Sequence, residues 1–235
     1  MELANHFLEG HSHFDLAMNA HPDLKSRFYP MITERGQNTA STGETGAVQV
    51  WPMDVPRDLY HTDWVADRTL AWLGEQGQSP WFCWMSFPDP HHPWDVPRSE
   101  LHRVNWRDLD LPPSYLEGDE ARRVLATKPK HWLGYYEASL WSNLESPRDY
   151  VPADMTADQV REINAMTHIE NELIDEACQR VIDYLKARDL YDHTDIFFTT
   201  DHGELQGDYG LMFKGPYHVD ALMRLPFIWK PGQIG

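Results

Sequence analysis

Asp195-Ile196-Phe197-Phe198-Thr199-Thr200-Asp201-His202-Gly203-Glu204 is the stretch on which the architecture turns. Its first half is a short run rich in aromatic and β-branched residues, which reads as a buried strand. Upstream, residues 157–189 carry one apolar stripe: Val160, Ile163, Met166, Ile169, Leu173, Ala177, Val181 and Leu185. Those positions recur at helical spacing, and Thr156 and Gln159 stand at the spacing of a capping box. The intervening Glu162, Glu170, Glu172, Asp175, Glu176, Arg180 and Asp183 predict a charged, solvated face. Further upstream, Trp81 to Phe87 is a continuous apolar run between Pro80 and Pro88, of a length that suits a buried strand. Strand, long helix and strand form a crossover unit, which sets parallel strands side by side with the helix on one face. The predicted fold is therefore α/β, a mostly parallel sheet flanked by helices.

Outward from this unit, residues 58–75 show helical periodicity through Leu59, Thr62, Val65, Ala66, Leu70 and Leu73, with Asp58 as the expected cap. Val48-Gln49-Val50-Trp51 and Leu225-Pro226-Phe227-Ile228-Trp229-Lys230 read as further strands. Residues 88–155 form a long Pro-rich excursion, with short helices expected near 119–126 and 131–141. Long excursions of this kind are often functional. Residues 1–56 read as an irregular amino-terminal segment, and residues 1–235 as a single domain.

The composition narrows the partners. With 37 acidic against 20 basic side chains the net charge is −17, which argues against a nucleic-acid binder. An apolar fraction of 41% excludes a disordered chain. Cys83 and Cys178 are the two cysteines; lacking metal spacing, they read as buried thiols. No apolar run approaches a membrane span, and the first residues lack the pattern of a signal peptide, so no membrane partner and a cytoplasmic location are expected. A carbohydrate-stacking surface built from the 10 Trp is disfavoured, because Trp72, Trp81 and Trp84 fall in expected core elements.

In open α/β sheets ligands bind beyond the carboxyl ends of the strands. Asp201 and His202 leave one such end. Their oxygen and nitrogen donors suit Zn²⁺, Mn²⁺ or Fe²⁺ better than Ca²⁺, provided that a turn at Gly203 makes them converge. The alternative is an Asp–His hydrogen bond capping a turn. At the other end, Ser86-Phe87-Pro88-Asp89-Pro90-His91-His92-Pro93-Trp94 holds a His pair in a proline-stiffened loop. There His91 can serve a substrate oxygen or a leaving group, or simply pack on Trp94. Gly207-Asp208-Tyr209-Gly210-Leu211-Met212-Phe213-Lys214-Gly215-Pro216 carries a single Lys. Lys214 is either an anion contact or a solvated surface Lys.

Taken in order, Thr200-Asp201-His202-Gly203-Glu204, Gly207-Asp208-Tyr209-Gly210 and Lys214-Gly215 resemble the carboxy-terminal metal-binding motif of the sulfatase family. This family lies in the alkaline phosphatase superfamily and includes phosphonate monoester hydrolases. Ser86-Phe87, Pro90-His91 and Pro93-Trp94 resemble its Pro-His-x-Pro loop, and Arg224-Leu225-Pro226-Phe227-Ile228 resembles its closing strand entry. The resemblance spans about residues 57–232. It implies an alkaline phosphatase/sulfatase-like sheet and a hydrolase of small anionic sulfate or phosphate esters. It also implies a divalent metal (Zn, Mn, Ca or Mg) on Asp201 and His202, Lys214 on the anionic oxygens, and His91 on the substrate or leaving group.

Two family segments have no counterpart in the chain: an acidic pair after an early strand, and Cys/Ser-x-Pro-x-Arg with its nucleophile. The expected fold is thus incomplete at both ends. The alternative function is a non-catalytic metal- or anion-binding or oligomerising module. Further ligands are sought in His6, His11, His13 and Asp15, or in His218 and Asp220. An uncovered sheet edge or face predicts a homo-oligomer.

Overall fold

The computed structural model describes residues 41, 43–77, 79–139 and 150–233. Helix α1 spans His61–Glu75, α2 Gly118–Leu125, α3 Lys130–Tyr136, α4 Ala157–Ala187 and α5 Asp220–Met223. Strands β1, Ile196–Thr199, and β2, Phe227–Lys230, complete the regular elements.

Helix α4 organises the molecule. Thr156 Oγ1 accepts from the Gln159 backbone N–H at 3.2 Å, and Gln159 Oε1 accepts from the Thr156 N–H at 2.9 Å, the reciprocal capping box read from the sequence. Its stripe is buried at Val160, Ile163, Met166, Ile169, Leu173, Ala177 and Leu185. Glu162 and Glu170, expected in solvent, are buried instead. The Glu162 carboxylate accepts the backbone N–H of Glu44 at 2.6 Å and of Thr45 at 3.0 Å, together with the Thr45 hydroxyl. Burial of the charge is tolerated because each oxygen is hydrogen-bonded, and it ties the 43–46 turn to the helix.

Helix α1 packs on α4 through Ala66 and Leu73, and ion pairs lace the edge of the seam. Arg57 contacts Asp63, Arg180 reaches Asp63 at 3.3 Å, and Arg103 bridges Glu100 at 2.7 Å and Glu176 at 2.7 Å. The expected Asp58 cap is not made: the cap position is Tyr60, with no side-chain cap bond. Asp89, from a distant loop, sits at this helix end and accepts from Thr62 Oγ1 at 2.6 Å. A carboxylate is favoured there by the helix dipole.

The sheet departs from expectation. β1 pairs with β2, antiparallel, in the register Ile196↔Lys230 to Thr199↔Phe227. The 81–87 run forms no ladder among the described residues. Its side chains still alternate, Trp81, Cys83, Met85 and Phe87 half-buried and Phe82, Trp84 and Ser86 exposed, as in an extended segment. Without a hydrogen-bonded neighbour an extended segment is not a strand of a sheet, so the predicted parallel pairing is absent among the described residues. Parallel contacts occur elsewhere, as the isolated bridges Val50↔Trp94 and Met53↔Pro97. Cys83 and Cys178 are half-buried rather than buried. Trp84 is exposed, while Trp72 and Trp81 meet edge-on at 5.9 Å. No helix among the described residues is long and apolar enough to cross a membrane.

Candidate functional site

Beyond Thr199 the chain leaves the sheet, so Asp201 and His202 escape the alternation that would hold them on opposite faces. Asp201 Oδ2 lies 3.7 Å from His202 Nε2, and Asp201 Oδ1 accepts the His202 backbone N–H at 2.9 Å. Gly203 lets the backbone at Ala221 approach closely: a β-carbon there would come within 1.8 Å of the Ala221 carbonyl oxygen. His202 Nδ1 contacts the Gly203 carbonyl at 2.8 Å, an interaction that requires the proton on Nδ1. That contact leaves Nε2 on the side facing Asp201. An imidazole tied through its other nitrogen to a backbone carbonyl is the common arrangement of a metal-ligating histidine. The Asp201 carboxyl is pushed up by partial burial, but the His202 charge and backbone hydrogen bonds outweigh this and lower it below its ordinary value. The donor set and its geometry fit a divalent metal.

The loop at 88–94 and the Gly-rich loop meet across 123 residues of sequence, where His91 Nε2 lies 2.8 Å from Lys214 Nζ. His91 Nδ1 donates to the His92 carbonyl at 2.5 Å, so Nε2 presents its lone pair to the lysine ammonium. Its neighbour is the packed member of the pair. His92 is buried, stacks on His91 at 4.1 Å and meets the Phe213 ring edge-on at 4.7 Å. Burial, reinforced by the neighbouring His91, Lys214 and His202, pushes its pKa down to about 2. It therefore stays neutral.

Lys214 is carried by a tight hairpin in which Leu205 N–H donates to the Phe213 carbonyl at 2.9 Å and Gly207 N–H to the Leu211 carbonyl at 2.9 Å. Leu211, Met212 and Phe213 are fully buried, so the hairpin is anchored in the core and only its end reaches the site. Part of the Pro-rich excursion braces it: Tyr209 N–H donates to the Ser114 carbonyl at 2.9 Å, and Ser114 Oγ contacts Asp208.

The structure thus brings His91 onto Lys214 and Asp201 onto His202, with His92 between them electrostatically. His218 and Asp220 are exposed, and Asp220 pairs with Arg224 at 3.9 Å. His6, His11, His13 and Asp15 lie outside the described residues. The described residues hold one cluster of three acidic or imidazole donors, His61, Asp89 and Asp95, which does not include Asp201 or His202. Sequence reading missed this cluster. Asp89 was visible as part of the proline loop, but nothing local linked it to His61.

A profile of the Sulfatase family matches residues 19–234. The chain belongs to the sulfatase family. Among sulfatase relatives, an arylsulfatase of Clostridium perfringens is 27% identical over 187 residues, covering 78% of this chain and 34% of that one. A multifunctional alkaline phosphatase superfamily protein of Trinickia caryophylli is 26% identical over 181 residues, covering 76% of this chain and 34% of that one. The chain therefore spans about a third of the length of these sulfatase-family relatives. The phosphonate monoester hydrolase of Agrobacterium radiobacter superposes with a TM-score of 0.67 at 25% identity, over 88% of this chain and 40% of that one. A phosphonate monoester hydrolase from Silicibacter pomeroyi shares the fold with a TM-score of 0.65. The alkaline phosphatase/sulfatase-like fold expected from the motifs is thus found in part. The described residues supply its helices and a small antiparallel sheet.

Proposed function

We propose that this chain carries the metal- and anion-binding half of a hydrolase acting on sulfate or phosphate esters. Asp201 and His202 would hold a divalent cation, which would supply Lewis acidity toward an ester oxygen. Lys214 turns from His91 to the anionic oxygens of the substrate and offsets their charge. His91 Nε2, released from that contact, takes a proton from solvent and gives it to the leaving oxygen as water attacks the sulfur or phosphorus, the ester S–O or P–O bond breaks, and the attacking water loses a proton to solvent. His92 cannot compete for that proton, because it remains neutral in its apolar packing. The observation that carries this reading is the 2.8 Å approach of Lys214 to His91 beside the converged Asp201–His202 pair.

The test is turnover of aryl sulfates, phosphate mono-, di- and triesters and phosphonate monoesters with added Mn²⁺ or Zn²⁺. The expected result is a rate that rises with metal and falls at least a hundredfold in Asp201→Ala and Lys214→Ala, in line with the usual weight of such groups. Hydrolysis unchanged by both substitutions would refute the proposal.

A second reading has its own support. Phe82, Trp84, Phe197, Phe198, Phe227, Ile228 and Trp229 are all exposed, which favours a module that associates through an apolar face, either with a second copy or with another chain. Metal binding with no turnover on any ester, together with self-association in light scattering, supports this reading over the first.

A further inference from the structure

We propose that His61, Asp89 and Asp95 form a second divalent-cation site, distinct from Asp201 and His202. Three separate segments supply the donors: the first residue of α1, the loop after the extended 81–87 run, and the residue following Trp94. Their ligand atoms lie within 4.8 Å of one another, and His61 Nε2 is already 2.5 Å from Asp89 Oδ1. A tetrahedral ion about 2.0–2.2 Å from each donor separates its ligand atoms by about 3.4 Å. The His61–Asp89 contact is shorter than that value, so these two donors must part by about 1 Å to admit an ion.

The chemistry of the set matches. One imidazole with two carboxylates is a borderline nitrogen–oxygen set, suited to Zn²⁺ or Mn²⁺. Both aspartates are buried, at 8% and 2% exposure, whereas the His61 side chain is 32% exposed and leaves a route for an ion.

An outer contact already orients the set. Thr62 Oγ1 donates to Asp89 Oδ2 at 2.6 Å. A hydrogen-bonded carboxylate ligand beside a histidine is how metal sites are braced from outside. An ion here would lock the loop that carries His91 to the start of α1.

The experiment titrates the full chain with Co²⁺ and follows its ligand-field absorption, in a background of Asp201→Asn with His202→Gln that removes the first site. One Co²⁺ per chain is expected in that background, displaced by Zn²⁺, with a rise in Tm. Asp95→Asn and His61→Gln should each weaken binding tenfold or more, and Thr62→Val by about tenfold, the usual cost of an outer contact. His61 is half-exposed, so His61→Gln keeps the test valid if Asp95→Asn fails to fold. Absence of binding by the folded background protein, or binding indifferent to His61→Gln and Thr62→Val, would overturn the proposal and leave a plain hydrogen-bonded network. Because the first site is removed beforehand, neither outcome depends on hydrolytic activity.

Discussion

The aromatic residues of this chain live in two opposite environments. Around α4 and the 205–217 hairpin, Trp94, Tyr60, Tyr135, Tyr217 and Phe213 are almost wholly buried. Across β1, β2 and the extended 81–87 run, exposure reaches 79% at Phe82, 69% at Trp84, 67% at Phe227 and 56% at Trp229. The residue types are the same, so intrinsic hydrophobicity does not account for the difference. Helix α1 packs on α4, the 106–108 turn of the Pro-rich excursion also meets it, and α2 and α3 add buried side chains to the same core. The sheet side has a two-stranded ladder with exposed apolar side chains on both faces, Phe197 and Trp229 on one and Phe198 and Ile228 on the other, and no second layer among the described residues. The candidate site sits where the two regions meet, its metal pair at the end of β1 and its Lys–His pair anchored in the closed core.

Removing one buried side chain should break the comparison most sharply. Leu173→Ala, at a fully buried stripe position of α4, is expected to cost about 2–5 kcal/mol, seen as a lower urea midpoint at unchanged slope. Next comes Glu162→Ala, which strands the Glu44 and Thr45 N–H groups and should cost about 1–3 kcal/mol by the same measurement. His92 sharpens the contrast through pH. Its folded pKa lies near 2, far below its unfolded value of about 6.5. The unfolded chain therefore binds more protons between those values, and stability present above pH 6.5 is lost on acidification, by up to about 1.4 kcal/mol per pH unit. His92→Leu should flatten that part of the stability–pH curve. The smallest effect on stability belongs to the open face: Phe198→Ser with Ile228→Ser should shift stability by under about 1 kcal/mol each while reducing association in light scattering. Equal losses for core and face substitutions would show that the face is covered in solution.

Local signals carried a good part of the fold. Helix α4 was legible from Thr156, Gln159 and the stripe, because capping and periodicity are short-range free energies. Helices α1, α2 and α3 appeared near their expected places. β1 and β2 were recognised as strands, yet their antiparallel pairing was not, because strand partners are chosen by long-range closure rather than by composition. Glu162 was misread as solvated because its partners, Glu44 and Thr45, lie 118 and 117 residues away. The Asp58 cap failed because Asp58 lies in a separate short turn, Arg57–Leu59, and the helix starts only at His61.

What the sequence by itself determined is the order of the motifs and the local chemistry: Asp201 and His202 at a strand end, Gly203 directly after them, His91 in a proline-bound loop, and Lys214 after the glycines. Only the tertiary structure decided that His91 meets Lys214 and that His92 is the buried, neutral ring. It alone assembled His61, Asp89 and Asp95 from three segments and left the β1–β2 face open. Donor identity is written residue by residue, but convergence depends on which surfaces pack, and packing is a property of the whole chain.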